Sequence, residues 1–181
     1  RRSFFNQSVE SGNPEHRFKR AYRDLQDKWE GAWGWRLHRH AEELDAGVFS
    51  RLRIPVNESE AELRAQLHNL ALVLVDLLNE KSLIQGMDRV SGERGLDKLK
   101  RFLENNEYEY VDRDISLLRK VQQMRSRIAA HASGSGGRAF LEKELGDRSH
   151  REYLVELIEE STQMLLDLRR FAMSQASALG G

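Results

Sequence analysis

The residues with the clearest chemical potential lie in "VQQMRSRIAAHASGSGG", residues 121–137, where Arg125, Arg127 and His131 precede a Gly/Ser-rich string. A guanidinium group suits planar contacts to phosphate and carboxylate. Glycines allow another backbone or a phosphate chain to approach closely, and the dipole at a helix C-terminus favours a protonated histidine. The pattern fits either the solvated end of a helix or half of an active site.

A helical wheel separates the two arginines of this stretch. With Val121 at the centre, the apolar residues of the predicted helix form one stripe: Leu117, Leu118, Met124, Ile128 and Ala132. Arg125 falls about 40° from Val121, inside the stripe, and His131 about 80° away on the other side, at its rim. Arg127 lies farther out, where we expect a solvated residue that contacts phosphate at most.

An arginine inside an apolar stripe needs a partner, because a buried charge is costly when unpaired. Arg125 could extend to the rim of a bundle or pair with a carboxylate such as Asp76 or Glu156. In that case His131 would only cap the last carbonyl groups of its helix. Alternatively, both residues face a ligand or a second chain.

Amphipathic helices must position these residues. Apolar periodicity predicts four core helices, at about residues 57–81, 92–104, 112–132 and 149–174. Capping-box patterns open the first at "NESE" (57–60) and the last at "SHRE" (149–152). The string "SGSGG" is expected to be a flexible connection, followed by at most one helical turn over 141–146. The fold class is therefore an all-α, four-helix bundle.

The N-terminal segment is harder to interpret. Asn13 is a plausible N-cap before Pro14, and a helical face follows: Phe18, Tyr22, Leu25 and Trp29. The glycines among the tryptophans leave a helix, a kink or a packed loop open, and the backbone before Pro55 should be extended. We expect residues 1–55 to be a helical extension or a linker to a neighbouring domain, 56–176 the bundle, and 177–181 a frayed tail.

Several other polar and aromatic residues have weaker functional interpretations. His38 and His40 in "RLHRH" diverge on a helix but share a face on a strand, and no further ligand set is visible. We therefore expect no metal site. His68 is interpreted as a packed or rim residue. His150 is interpreted as a solvated residue at the start of a helix. The tryptophans at 29, 33 and 35 could stack bases, but an aromatic anchor of a core or interface is the better interpretation.

Composition excludes several function classes. The 181 residues include no Cys, so disulfide frameworks, thiolate zinc sites and cysteine nucleophiles are ruled out. Lys plus Arg equals Asp plus Glu at 29 each, which argues against a general polyanion-binding protein. The longest apolar run, "LALVLVDLL", is too short to span a bilayer, and we expect a cytoplasmic protein without membrane contact. The Met-less start fits a processed chain or a piece of a longer protein.

The motif helix resembles that of the HEPN domain (higher eukaryotes and prokaryotes nucleotide-binding), in which an Arg, four to six residues and a His end a helix of a small α-bundle. Arg125 and His131 give R-x5-H, whereas Arg127 and His131 give a spacing too short for the pattern. Ser126 stands where many members have Asn, Asp or His. The resemblance covers about residues 57–174 and leaves the segment before Pro55 unexplained.

The resemblance implies a metal-independent endoribonuclease that needs no cofactor and acts as a homodimer. Its two motif helices would meet, so that two copies of Arg125 and His131 form one catalytic site on RNA. We expect Ser126, Arg127 and Arg138 to bind the substrate. Such a protein would be the effector of a toxin–antitoxin or antiviral defence system, with an antitoxin or further domains as partners. The alternatives are a catalytically inactive HEPN-like domain that serves dimerisation, ligand or partner binding, and a scaffold domain without a site.

Overall fold

The structure, a computed structural model, describes residues 12–43, 45–130 and 135–179. Over these ranges it is an all-α bundle, as predicted. Its α-helices are α1 (Pro14–Trp33), α2 (Val48–Arg51), α3 (Glu60–Ala71), α4 (Glu80–Leu83), α5 (Gly95–Asn105), α6 (Val111–Ala130), α7 (Ser135–Leu145) and α8 (His150–Leu179). A π-helical turn, Leu72–Asp76, continues α3, and a 3-10 turn spans Ala41–Glu43.

Helix α1 is part of the hydrophobic core and packs along α8. It begins as predicted, with the Asn13 side chain accepting a hydrogen bond from the Glu15 amide at 3.2 Å and Pro14 in the first helical position. It ends at Gly34, whose φ of 77° is readily adopted only by glycine. Core residues therefore come from both sides of the domain boundary predicted near residue 55.

Helix α3 starts later than the capping-box pattern indicated. The N-cap is Ser59, whose hydroxyl accepts a hydrogen bond from the Glu62 amide at 3.1 Å. The Asn57 side chain instead accepts from the Ser59 amide at 3.0 Å, in a turn that precedes the helix. Asn57 and Ser59 are both residue types that cap helices. Because the Asn57 side chain forms the preceding turn, Ser59 is the N-cap.

Helix α3 also ends earlier than predicted, at the π turn rather than at Lys81. The chain leaves the helix because its next residues pair with residues 37–39. The Arg39 amide donates to the Leu77 carbonyl at 2.7 Å, and the Asn79 amide donates to the Leu37 carbonyl at 2.9 Å. These long-range hydrogen bonds replace those that further helical turns would have made.

The side chain of His38 secures this pairing from inside the core. Its Nδ1 accepts from Gln26 Nε2 at 2.9 Å, and its Nε2–H donates to the Leu74 carbonyl at 3.1 Å. Gln26 in turn accepts from the His38 amide at 2.9 Å. Because the ring is fully buried, desolvation lowers the pKa of His38 to about 4. His38 thus joins α1, the 37–39 segment and the π turn in its neutral form.

Helix α8 begins where the sequence predicted but ends later than predicted. The capping box of α8 is confirmed, since Ser149 and Glu152 each accept a hydrogen bond from the other's amide, at 3.0 and 2.8 Å. Helix α8 continues to Leu179, so most of the predicted frayed tail is helical, and residues 180–181 lie outside the described part.

Helix α7 replaces the predicted flexible connection. It begins at Ser135, within "SGSGG", and spans eleven residues rather than one turn; residues 133–134 of that string lie outside the described part. Leu141 and Leu145 of α7 are in the core, and the helix packs on α6. Packing of this apolar face outweighs the low helix propensity of the glycines.

A buried polar network ties the start of α6 to α8. Arg113 donates to Asp114 at 2.7 Å and to Asp167 at 2.6 Å, while the Tyr108 hydroxyl donates to Asp114 at 2.6 Å. Burial raises the pKa of Asp114 despite these donors. The network positions α6, on which Arg125 lies.

Among the described helices, none combines the length and apolar character that crossing a bilayer requires.

The buried His38 predicts a specific pH dependence of stability. In the unfolded chain a histidine has a pKa of about 6.5. Because the pKa of His38 is about 4 in the folded protein, the unfolded state binds more protons between these values. Stability should therefore fall as the pH drops below about 6.5, by about 2 kcal/mol at pH 5. The His38→Gln variant should lack this contribution.

Urea unfolding followed by circular dichroism at pH 7 and pH 5 tests this expectation. The variant will be less stable at both values, so the difference between its pH dependence and that of the wild type is the quantity to compare. Parallel pH dependences would show that His38 does not remain neutral in the core.

Candidate functional site

Arg125 lies at the rim of the bundle, not deep in the core. Its side chain is 21% exposed and forms an ion pair with Asp76, the last residue of the π turn, whose side chain is 32% exposed. Of the alternatives left open for Arg125 by the sequence, the structure shows a side chain at the rim that pairs with a carboxylate, and the partner is Asp76. The other candidate, Glu156, pairs with Arg148 at 2.6 Å instead.

A second arginine approaches the same aspartate. The half-buried Arg39 donates from Nη2 to the main-chain carbonyl of Asp76 at 3.0 Å. We call Arg39, Asp76 and Arg125 the Asp76 cluster. It joins three separate parts of the chain: the segment after α1, the π turn and α6.

Local structure explains why Asp76 is available at the rim. Its neighbours Val75 and Leu77 are buried, so the π turn packs its apolar residues inward and leaves the carboxylate at the edge. On α6, Val121, Met124 and Ile128 are buried around Arg125 in the same way. Helix α3 and its π turn pack against α6, and this packing brings the two charges together.

The remaining predicted site residues make other contacts. The exposed Ser126 donates its hydroxyl proton to the Gln122 carbonyl at 3.0 Å. Arg127, also exposed, places its guanidinium 4.5 Å from the ring centre of Phe140 on α7. Arg138 is exposed on α7. His131 lies outside the described residues.

The other histidines do not form a common site. His38 is buried with both ring nitrogens bonded, whereas His40 is exposed. His68 is exposed rather than packed, and His150, expected to be solvated, has a side chain only 18% exposed near Glu58. Within the described ranges, no three His, Asp or Glu side chains are arranged to hold a metal ion.

The tryptophans form the predicted aromatic anchor. Trp29 is fully buried, with the rings of Trp33 and Trp35 at 4.3 and 5.8 Å between centroids. Phe102 and Phe171 complete the aromatic cluster, at 5.6 and 6.3 Å from the Trp29 ring. The cluster joins α1 to α5 and α8, which explains the aromatic residues by packing.

Arg125 has the chemistry of an anion-binding residue. A guanidinium carries five N–H donors in a planar fork, and each of the two observed contacts to Asp76 involves one nitrogen. Arg125 therefore has further N–H donors that match the oxygens of phosphate. The sequence pattern pointed to Arg125 and Asp76 but not to Arg39, which lies in a segment without clear periodicity.

Comparison with known proteins adds no assignment: no protein-family model, no curated protein and no solved structure matches this chain. The resemblance to the HEPN domain therefore stays a prediction based on the R-x5-H motif and its place in the bundle.

The geometry predicts that Arg125 and Asp76 are energetically coupled. Because both side chains are partly shielded from solvent, their coupling should lie at the upper end of the range for rim pairs, about 1 kcal/mol. A double-mutant cycle of Arg125→Ala and Asp76→Ala, measured by urea unfolding, gives this value directly. The pair Lys100–Glu104, at 3.4 Å and more exposed, serves as the comparison and should couple less. Equal coupling in both pairs would contradict the expectation.

Proposed function

We propose that this chain is a metal-independent endoribonuclease of the HEPN type, with Arg125 binding the scissile phosphate and His131 acting as general base. The observation that carries the proposal is the setting of Arg125. It interrupts the apolar face of α6, is partly exposed, pairs with the partly exposed Asp76, and lies six residues before His131 in the sequence. An arginine placed in this way is suited to bind an anion that arrives from solution.

The proposed reaction needs only groups that RNA and these two residues supply. His131, as a neutral imidazole near physiological pH, takes the proton of a ribose 2′-hydroxyl. The 2′-oxygen then attacks the adjacent phosphorus, and the bond from phosphorus to the 5′-oxygen breaks. The leaving oxygen takes up a proton, which gives a 2′,3′-cyclic phosphate and a 5′-hydroxyl. Arg125 stabilises the charge that accumulates on the phosphoryl oxygens.

A homodimer would complete this site. If two α6 helices meet at their C-terminal ends, one histidine removes the 2′ proton and the other supplies a proton to the leaving oxygen. Two copies of Arg125 would then flank the phosphate, with Ser126, Arg127 and Arg138 as further contacts to RNA. A nuclease of this kind suits the effector of a toxin–antitoxin or antiviral defence system, regulated by an antitoxin or by further domains.

A second candidate is a helical domain without catalytic activity that serves dimerisation or partner binding. The observation that favours it is the same ion pair, because Asp76 already gives Arg125 a partner within the chain. Under this proposal Arg125→Ala would lower stability or weaken dimerisation, and the wild type would cleave no RNA. Loss of an existing cleavage activity in folded Arg125→Ala and His131→Ala proteins would exclude it.

The nuclease proposal predicts that His131→Ala abolishes cleavage of single-stranded RNA while leaving the fold intact. Without the base, a fall in rate of at least about 100-fold is expected. The assay should include a chelator and should identify the 2′,3′-cyclic phosphate end. His16→Ala, which changes a histidine whose side chain is 68% exposed on α1, is the matched control and should cleave normally. Cleavage unchanged by His131→Ala would refute this mechanism.

A composite site also predicts that activity depends on protein concentration. Below the dimer dissociation constant, activity per chain should rise in proportion to concentration, and above it activity per chain should become constant. Sedimentation velocity over the same range measures the dimer fraction independently. Full activity in samples that sediment as monomers would exclude a site shared between two chains.

A further inference from the structure

We propose that Arg127 and Phe140 form a stacking site for one nucleobase of a single-stranded RNA, with the Arg127 guanidinium between the base and the Phe140 ring. The inference rests on the proposed action on RNA and deepens it, because it gives Arg127 a base rather than a phosphate as its ligand. It also adds Phe140, which lies outside the R-x5-H motif, to the RNA-binding residues.

Arg127 differs from the other arginines of α6 in its contacts. Arg113, Arg119 and Arg125 each form an ion pair with an aspartate. Within the part of the chain that the structure describes, Arg127 has no carboxylate at ion-pair distance. Its guanidinium lies instead over the ring of Phe140, 4.5 Å from the ring centre. Arginine stacks on aromatic rings in this way, so the contact that holds Arg127 is one that a further planar group can extend.

Helix α7 fixes the lower layer of this site. Phe140 is partly buried and packs against the hydrophobic core, which Leu141 and Leu145 of the same helix enter. The ring is therefore held in place by the bundle. Arg127 is exposed, so its guanidinium has the ring on one side and solvent around the rest of it. A planar ligand can reach the guanidinium without any movement of the core.

A nucleobase is the ligand that suits this arrangement. Bases that are not stacked in a helix bind to proteins by stacking on aromatic rings and on the planes of guanidinium groups. Every base has a π face, so such a site tolerates any sequence. In an RNA duplex each base is already stacked and paired, and its faces are not accessible. The site therefore selects single-stranded RNA but does not read its sequence.

The place of Arg127 on α6 separates the stacked base from the phosphate proposed to bind at Arg125. The two residues are two positions apart, so their side chains leave the helix about 160° from each other. Arg125 turns towards Asp76 in the π turn, and Arg127 turns towards α7. Because the two guanidinium groups lie on opposite flanks of a helix about 10 Å across, the stacked base belongs to a neighbouring nucleotide of the strand.

Removal of the bases from the RNA tests the stacking site. Two short, labelled, 2′-O-methylated strands of equal length are compared by fluorescence anisotropy, one with its bases and one abasic throughout. Both carry the same phosphates, and neither can be cleaved by attack of a 2′-hydroxyl. The wild type should bind the abasic strand at least about five-fold more weakly.

The Arg127→Lys variant separates stacking from charge. It keeps the positive charge but lacks the planar guanidinium, so its affinity for the intact strand should fall by several-fold and the difference between the two strands should shrink by the same factor. The slope of log affinity against log salt should stay the same, because the number of cationic contacts is unchanged.

Two further variants complete the comparison. Phe140→Leu keeps an apolar side chain against the core but removes the ring beneath the guanidinium, so it should lose part of the preference for the intact strand. Arg119→Lys is the matched control, since it makes the same exchange on the same helix at an arginine that is 54% exposed and pairs with Asp97. It should bind both strands as the wild type does. Circular dichroism and urea unfolding verify that each variant is folded.

The outcomes decide the stacking site separately from cleavage. Equal affinity of the wild type for the two strands, or no binding of either, would overturn the proposal, and this comparison needs no variant. A full preference for the intact strand in folded Arg127→Lys would also overturn it, as would an equal loss in Arg119→Lys. Preference lost in Arg127→Lys, without any cleavage of ordinary RNA by the wild type, would support the stacking site and refute the nuclease. Cleavage that depends on His131, with binding that does not depend on the bases, would do the reverse.

Discussion

The pairing of residues 37–39 with 77–79 is the constraint on which the rest of the candidate site depends. It consists of two main-chain hydrogen bonds between segments about forty residues apart, and the buried His38 fixes it from the core side. Because the chain must leave α3 to make this pairing, the helix closes in a π turn. The wider turn is a common feature at functional sites. Here it leaves a single carboxylate at the rim.

The bundle treats its acidic residues in two different ways. At the start of α6, two buried carboxylates and Arg113 form a network in which the donors and acceptors satisfy one another, so it can hold α6 in place but offers little to a ligand. At the other end of the same helix, Asp76 and Arg125 meet near solvent with unused N–H donors. One helix therefore has a buried network at its N-terminal half and a partly exposed ion pair at its C-terminal half.

Local sequence signals predicted the parts of the fold that local interactions determine. The Asn13 cap with Pro14 and the capping box of α8 are confirmed because each depends on residues three positions apart or less. The end of α3 was predicted wrongly, since leucine periodicity continues through residues that pair with a distant segment. Helix α7 was predicted as one turn at most, because the glycines before Arg138 weaken the local helix signal, and the core packing of Leu141 and Leu145 outweighs them.

The same distinction applies to the candidate site. The wheel identified Arg125 because its position relative to Val121 and Met124 is a local property of one helix. Asp76 was one of two carboxylates, with Glu156, that the sequence analysis named as possible partners. Arg39 could not be found in this way, because its contact with Asp76 depends on the pairing of two segments far apart in sequence. A guanidinium near the core must be compensated even when no substrate is bound. The carboxylate of Asp76 meets this need at the rim of the bundle.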